Sequence, residues 1–534
     1  TSRRSRSLFP DLPRAERPFR SLWKGAFVVL SQPALVATLT APPSEDGASL
    51  RALPPEVSWL EVRADLVGDL DADWLRSHFP GRLLYTLRSR AEGGQGSDGL
   101  ATRTPRLRAA AERYDLVDLE GARDLADAVL KGVPVERRLI SWHGPATHLT
   151  GLKQRFETLA QVPARLYKMI PRAAQSGDDF RTLALLHDLG RDDLVCFASG
   201  DIGSWTRVLA PRFGCPLIYG AAGDVPGAPG QWTVHKLVRD FELPGMPPLV
   251  GLFGLVGRPV AHSLSPLLYN GAFRELGLEA VYVPFHVESF GDFWLEVVES
   301  GGLSALGLSL VGLSVTSPHK EVALAVSGAS SPRAQHIEAA NTMVCRDEVW
   351  EAETTDPDGV VLALARVGVE LRGRRAAVVG CGGAGKAAAY GLHLAGANVT
   401  LINRRAERAR KASMALGLPF ELLADFDPGA FDVVVHATGL GRDDAEPFVI
   451  DPERLAPGAA LLDMTYRGRR PTRLIERVRE AGGVGVDGRE MLLYQALEQF
   501  RLMVGHQLDE ERARRLLGIE RPNAPASGRR QEER

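Results

Sequence analysis

Cysteine is scarce in this 534-residue chain: Cys196, Cys215, Cys345 and Cys381 are the only four, and no two of them form a C-x-x-C pair. That excludes a disulfide scaffold and argues against structural zinc, so a reducing compartment is expected and no metal. Long apolar runs are also missing; none approaches the roughly 20 residues a membrane-spanning helix needs. Charge of one sign is lacking, with a net charge of −2, so no overall field favours nucleic acid or a membrane surface. Lysine is rare, eight among 64 basic residues, which gives weight to any lysine found inside an apolar strand. There is no internal repeat. What is present, 45% hydrophobic and 24% charged residues, is the composition of a soluble globular protein, expected in the cytoplasm. The length exceeds what one core supports, so several domains are expected.

The ends differ from the middle. Residues 1–33 read as an extension, partly disordered, with Arg3, Arg4, Arg6, Arg14, Arg17, Arg20 and Lys24 against Asp11 and Glu16. Prolines interrupt any amphipathic period there; a remnant of a plastid transit peptide is the alternative. Residues 518–534 are polar, contain proline and read as a disordered tail. From 34 to 242, eight short β-rich runs alternate with helical patterns, which predicts a closed (β/α)8 barrel. Leu243-Pro-Gly-Met-Pro-Pro248 reads as a linker. A second α/β unit spans 249–370 and a third 371–488, followed by a long amphipathic helical pattern to residue 517.

Polar residues in the barrel runs cluster at the strands' C-terminal ends, where barrels of this kind carry chemistry. Glu61, Arg63 and Asp65 alternate to one face of the second run. Arg88 follows the third, Glu120 the fourth and His143 the fifth, and Lys168 lies inside the sixth. A lysine in a strand is commonly an edge residue that snorkels to solvent. Enclosed in a barrel mouth instead, its pKa falls by up to roughly 3–5 units, and the neutral amine can attack a ketone. His143 then moves protons, with Glu120 orienting it.

The strings Glu61-Val-Arg63-Ala-Asp65, Thr86-Leu-Arg88 with Glu92-Gly-Gly94, Asp115 through Glu120, Ser141-Trp-His143 and Lys168-Met-Ile170 resemble, in order, type I 3-dehydroquinate dehydratase. Gly203-Ser-Trp-Thr-Arg207 and Gly227-Ala-Pro-Gly-Gln231 extend the match. The resemblance implies Lys168 as Schiff-base former, His143 as general acid/base and Glu120 as its partner, without a cofactor. It further implies Arg207 on the substrate carboxylate, with Glu61, Arg63, Arg88 and Gln231 as additional contacts. Thr206 and Gly227 stand where that family usually has Ser.

In the second half, Val379-Gly-Cys-Gly-Gly-Ala-Gly385 follows an apolar run and opens a helical pattern. Gly380, Gly382, Gly383, Ala384 and Gly385 there suit close approach of a pyrophosphate to a helix N-terminus. Asn403, Arg404 and Arg408 follow the next strand pattern; guanidinium groups in place of an acidic residue suit a 2′-phosphate, hence NADP. Ser263, Ser265, Thr316, Lys320, Asn341 and Asp356 precede this unit. Singly they read as helix caps and surface residues. Together they suit a small polyol acid that gains or loses a hydride.

These strings, with Thr438-Gly-Leu-Gly441, Asp463-Met-Thr-Tyr466 and Gly488 through Gln495, resemble shikimate dehydrogenase. The resemblance implies Lys320 and Asp356 as the catalytic pair and Ser263 and Ser265 on the substrate carboxylate. Thr316, Asn341, Tyr466 and Gln495 join the substrate site, and Thr438 and Gly488 the cofactor site. The fold class implied is α/β: a TIM barrel, then an α/β substrate domain and a Rossmann NADP domain, with residues 489–517 returning to the substrate domain. Ser314, Thr354 and His436 replace a common Asn, Glu338 a Gly, and Arg405 a small hydroxyl residue. The order matches the fused enzyme of plants, and 3-dehydroshikimate made by the first site is the ketone the second reduces. Two other readings are a non-catalytic quinate or shikimate sensor, and a quinate dehydrogenase in the second half. Expected partners are these small molecules, with no nucleic acid and no membrane.

Overall fold

Alternating apolar residues with helix-length spacers give the first layer of the computed structural model, which describes residues 33–245, 249–441 and 445–519. The expected disorder at 1–33 and 518–534 falls almost wholly outside these residues, as do positions 246–248 of the linker. Eight parallel strands form the N-terminal sheet: β1 (Ala34–Leu39), β2 (Val57–Arg63), β3 (Arg82–Thr86), β4 (Leu116–Glu120), β5 (Arg138–Pro145), β6 (Leu166–Arg172), β7 (Leu194–Cys196) and β8 (Leu217–Ala221). They run in chain order, with β8 returning beside β1. The barrel is nearly closed: ladders join each neighbouring pair except β7 and β8, whose facing strand β7 is only three residues long.

Strand β2 ends at Arg63, one pleat before the sequence pattern expects. Asp65 lies in the short helix Ala64–Val67 and not on the strand face, because Arg63 Nε and Nη2 each donate to its carboxylate at 2.8 Å and turn the chain.

The second sheet holds β9 (Gly251–Gly257), β10 (Ala280–His286), β11 (Ser309–Val315), β12 (Ala329–Ser330), β13 (Thr342–Arg346) and β14 (Val349–Glu353), in the order β10-β9-β11-β13-β14-β12. Strand β13 is antiparallel to both neighbours and the other pairs are parallel. The third sheet is parallel throughout and doubly wound: β15 (Arg375–Val379), β16 (Asn398–Asn403), β17 (Phe420–Leu422), β18 (Val433–His436), β19 (Ala460–Asp463) and β20 (Val484–Val486), in the order β17-β16-β15-β18-β19-β20. Its strand order reverses at β15 and β18, where such sheets open a ligand crevice.

The single long C-terminal pattern is two helices, Gly488–Val504 and Glu510–Leu517. Gly505, at φ +76°, ends the first in a left-handed cap, a conformation cheap only for glycine. The first helix packs on the helix Asp356–Arg366 and reaches β11 and β13.

One apolar cluster runs without a break from the barrel into β9–β11. At the seam Trp205 lies edge-on to Phe285 of β10, ring centroids 5.0 Å apart, both fully buried. The Trp205 indole donates to Asp179 Oδ2 at 2.7 Å. Burial pushes the Asp179 carboxyl up to about 6, against the hydrogen bonds it accepts. No helix among the described residues is long and apolar enough to cross a membrane.

Candidate active sites

The period of two along the strands brings the barrel's polar residues to its C-terminal mouth. Lys168 on β6 pairs in register with Ser141 on β5, and His143 stands two residues further on the same face. Lys168 is 4% exposed. Its Nζ lies 3.5 Å from Glu61 Oε1, 3.6 Å from Asp118 Oδ2 and 4.1 Å above the centre of the Tyr219 ring. Carboxylates are its nearest charged neighbours.

Arg88 sits between those carboxylates. It donates to Asp118 Oδ2 at 2.8 Å, Glu120 Oε1 at 3.1 Å, Glu92 Oε2 at 3.2 Å and Ser141 Oγ at 3.0 Å. Burial alone would lower the Arg88 pKa, but Asp118, Glu120 and Glu92 outweigh it and hold the group charged. Asp118 is likewise buried, and Arg88 and Lys168 keep its carboxyl below the usual range.

The expected pair of Glu120 and His143 is not formed. Glu120 Oε1 accepts from Arg88 and from the Ser89 amide at 2.8 Å, and Oε2 accepts from Arg123 at 3.4 Å, so both oxygens are taken by other partners. His143 Nδ1 meets Glu92 Oε2 instead, at 3.1 Å, and the His143 amide donates to the same oxygen at 3.1 Å. The short 3-10 turn Arg90–Glu92 folds back over the mouth and carries Glu92 there. Burial lowers the His143 pKa well below its ordinary value, with Arg88 and Lys168 adding to the effect. Burial raises Glu92 to about 7 against the pull of Arg88, with Glu120 and Asp118 assisting. A low-dielectric setting thus disfavours charge on both partners of this pair.

The remaining barrel residues close the mouth. Gln231 Nε2 donates to Thr38 Oγ1 at 3.1 Å, and Thr38 donates to Glu61 Oε2 at 2.7 Å. The Gly227 amide donates to Gln231 Oε1 at 2.7 Å, and Arg63 Nη1 donates to the Gly227 carbonyl at 2.8 Å. Arg207 stacks over Phe197 at 4.8 Å and donates to Gly230 O at 2.9 Å. It has no carboxylate partner among the described residues, and its Nε is buried without an acceptor. Burial pulls its pKa down to about 10. A buried guanidinium without an anionic partner is costly. Thr206 uses its hydroxyl on the backbone, accepting from Ala198 N at 2.9 Å and donating to Gly203 O at 2.6 Å.

In the second sheet, Lys320 opens the helix Lys320–Val326 and donates to Asp356 Oδ2, while Asn341 Nδ2 donates to Asp356 Oδ1 at 2.7 Å. Thr316 directly follows β11 beside Gly257, where a Cβ on that glycine would lie 2.2 Å from Thr316 Cγ2. Ser263 Oγ accepts from the Ser265 amide at 3.1 Å and lies 3.5 Å from the Tyr466 hydroxyl. Gln495 faces the Asp356 helix, its Cβ 3.2 Å from the position of a Cβ on Gly359. Gln499, one helical turn on, is a buried hub that sequence reasoning missed. It donates to Asn341 O and Thr342 Oγ1, both at 2.9 Å, and accepts from Tyr269 at 2.9 Å and Ser314 at 3.0 Å. Ser314 therefore serves this hub.

The glycine loop fits a dinucleotide. Gly380 has φ +114°, and a Cβ on Gly385 would lie 1.8 Å from Gly380 O, so neither position admits a side chain. The loop leads into the helix Gly383–Leu394 with Gly382 at its N-cap and Ala384 in its first turn. Arg404 is exposed, and Arg408 Nη2 reaches within 3.5 Å of where a Cβ on Gly382 would stand. Asn403 donates to Arg405 O at 3.0 Å and shapes that turn. Thr438 Oγ1 lies 2.5 Å from His436 Nε2, and His436 Nδ1 lies 2.9 Å from the buried Asp463 Oδ1. At Gly488 a Cβ would fall 2.4 Å from Thr465 O.

Fold and sites together define a fused chain: a lysine-centred α/β barrel followed by a dehydrogenase with its own dinucleotide loop. A model of type I 3-dehydroquinase matches residues 38–246, and one of the shikimate dehydrogenase substrate binding domain matches residues 255–343. The bifunctional 3-dehydroquinate dehydratase/shikimate dehydrogenase, chloroplastic, of Arabidopsis thaliana is 28% identical over 548 residues, covering 94% of this chain and 87% of that protein. The shikimate dehydrogenase (NADP(+)) of Thermococcus kodakarensis is 38% identical over 265 residues, 48% of this chain and 93% of that protein. A solved structure of shikimate 5-dehydrogenase from Thermus thermophilus, in complex with NADP(H) and shikimate, is 32% identical, covers 50% of this chain and 99% of that chain, and has a TM-score of 0.44. The chain belongs to the shikimate dehydrogenase family and carries a type I 3-dehydroquinase ahead of it.

Proposed function

We propose that the barrel dehydrates 3-dehydroquinate to 3-dehydroshikimate and that the second half reduces this product to shikimate with NADPH. The observation that carries the reading is the conjunction, in one chain, of the buried Lys168 beside the His143–Glu92 pair and of Lys320 on Asp356 beside a dinucleotide loop. A sensor built on these folds has no use for all of these groups at once. In the domain division we propose, the barrel occupies 34–242, the linker 243–248, the substrate domain 249–370 and 489–517, and the Rossmann domain 371–488.

In the barrel, the Lys168 amine adds to the substrate ketone and the ketone oxygen leaves as water, giving an iminium. The iminium is an electron sink, so the adjacent C–H becomes acidic. His143 removes that proton as a neutral base, and the electron pair passes into an enamine. The hydroxyl one carbon further leaves with a proton returned by His143, and hydrolysis of the iminium frees Lys168. Arg207 holds the substrate carboxylate; Glu61, Arg63, Arg88 and Gln231 enclose the ring. Glu120 holds Arg88 in place.

In the second half NADPH, when bound, supplies the hydride. Gly380 through Gly385, Thr438 and Gly488 would line its site, and Arg404 and Arg408 would take its 2′-phosphate. Lys320, held by Asp356, gives a proton to the ketone oxygen. Ser263 and Ser265 bind the carboxylate, while Thr316, Asn341, Tyr466 and Gln495 position the ring.

The test is NADPH oxidation by the purified chain given 3-dehydroquinate alone, with an NADH control. Steady oxidation of NADPH, much faster than of NADH, is expected, because it requires both sites in sequence. Silence with 3-dehydroquinate and with 3-dehydroshikimate would sink the proposal.

A pH dependence follows from Glu92. Its carboxyl loses a proton at about 7, and the anion accepts from His143 Nδ1–H more strongly than the neutral acid does, which holds Nε2 free as a base. Dehydratase kcat/KM is expected to rise as pH passes through that region. Glu92→Gln should lower the rate and abolish the rise; an unchanged profile in the variant would refute the role.

A further inference from the structure

We propose that Glu338 is a positioning residue that clamps the nucleotide-binding helix Gly383–Leu394 onto the segment carrying Lys320 and Asn341, so that cofactor and substrate bind cooperatively; this rests on the dehydrogenase reading above.

Lys386, in the first turns of that helix, is 3% exposed. A buried ammonium demands a carboxylate, and removing one leaves a charge stranded. Its Nζ finds Glu338 Oε2 at 3.2 Å, the Glu338 carbonyl at 3.4 Å and Glu321 Oε1 at 3.6 Å. These partners come from the other side of the crevice. Glu321 follows Lys320, and Glu338 lies three residues before Asn341, which donates to Asp356. One lysine on the cofactor side thus ties together the two strands of chain that carry the catalytic pair's environment.

The contact around it is close on all sides. A Cβ on Gly383 would lie 3.1 Å from both Lys320 Cβ and Ala339 Cβ. Ile337, Ala339 and Ala387 form a small apolar cluster, and the His336 and Tyr390 rings lie 5.2 Å apart. Glu338 occupies a left-handed turn, φ +56°, that glycine adopts without cost. The carboxylate is kept at a position where the backbone favours its absence, and Lys386 is what it meets there.

A pyrophosphate held by Gly380–Gly385 would order the start of the helix Gly383–Leu394, and Lys386, the residue after Gly385, would order Glu338 and Glu321 with it. Each ligand then finds its half of the crevice already arranged by the other, which is a coupling free energy between sites.

The test uses the full chain and titrates NADP+ with and without shikimate, following protein fluorescence. In the wild type, shikimate is expected to tighten NADP+ binding. Glu338→Gly should lose at least about 5-fold of that tightening while dehydratase activity stays unchanged; Glu321 still faces Lys386 and glycine suits the turn, so the chain remains folded. Lys386→Met should lose the same coupling. Wild-type coupling retained in Glu338→Gly, or lost in only one of the two variants, would overturn the clamp. A wild type that reduces no 3-dehydroshikimate with NADPH would overturn the functional reading and the clamp with it, whereas an active wild type with unaltered variants overturns the clamp alone.

Discussion

Lys168→Ala removes dehydration and leaves reduction intact. The loss is expected to be on the order of 10⁴-fold or more in kcat, the scale seen when a covalent nucleophile is deleted from a unit that otherwise remains. The rest of the mouth is held independently of the lysine: Arg88 keeps its four acceptors, and Glu61 keeps Thr38 and Thr86. The alanine variant should therefore fold and still bind 3-dehydroquinate through Arg207. The measurement is a pair of assays on one preparation, 3-dehydroshikimate formation from 3-dehydroquinate and NADPH oxidation with 3-dehydroshikimate supplied. If reduction fell in step with dehydration, the two sites would not be separate. If dehydration persisted within tenfold, an imine at Lys168 would be the wrong chemistry.

Lys320→Met gives the mirror image. General acid catalysis contributes roughly 10²–10⁴-fold, so reduction should fall by about that much at saturating NADPH, with dehydration unchanged. Asp356 is fully buried and would lose its cation, but Asn341 still donates to it, which limits the damage to the fold. Because the lysine acts on the transferred proton, the fall belongs in kcat more than in the KM for NADPH. A variant whose only defect is a raised KM would reassign Lys320 to binding.

How far these sites can be read in advance depends on which kind of geometry places each residue. Strand alternation is local, so Glu61, Arg63, Lys168 and His143 are legible, and so is the order of the eight barrel strands. Asp118 carries the same signal, two residues before Glu120 on β4, and is easily passed over although it lies as near Lys168 as Glu61 does. The His143 partner is misassigned for a different reason. Glu120 sits at the end of a strand and looks fixed, whereas Glu92 reaches the mouth only because a 3-10 turn folds over it. A turn's direction is a tertiary property that spacing does not encode. Gln499 hides in another way, as one polar residue in a helix whose neighbours Phe500 and Met503 are buried. A glutamine on an apolar face needs partners, and asking for them leads to the Asn341 loop. The break at Gly505 is also readable, since glycine ends helices in this conformation. The dinucleotide loop is the easiest of all, because glycines at Gly380 and Gly385 are sterically required.

The seam at Trp205 and Phe285 bears on how the chain is made. Synthesis delivers the barrel's last strand, β8, before β9 and β10, so the first half leaves the ribosome with Trp205 and Phe180 uncovered. Phe180 also meets the second half at Gly302, where a Cβ would fall 2.6 Å from its ring. About eighty residues must emerge after Leu217–Ala221 before that patch is sealed, at about 5–20 residues per second. For those seconds the nascent barrel is a sticky intermediate, and the dehydrogenase that follows serves as its cap before it ever serves as an enzyme.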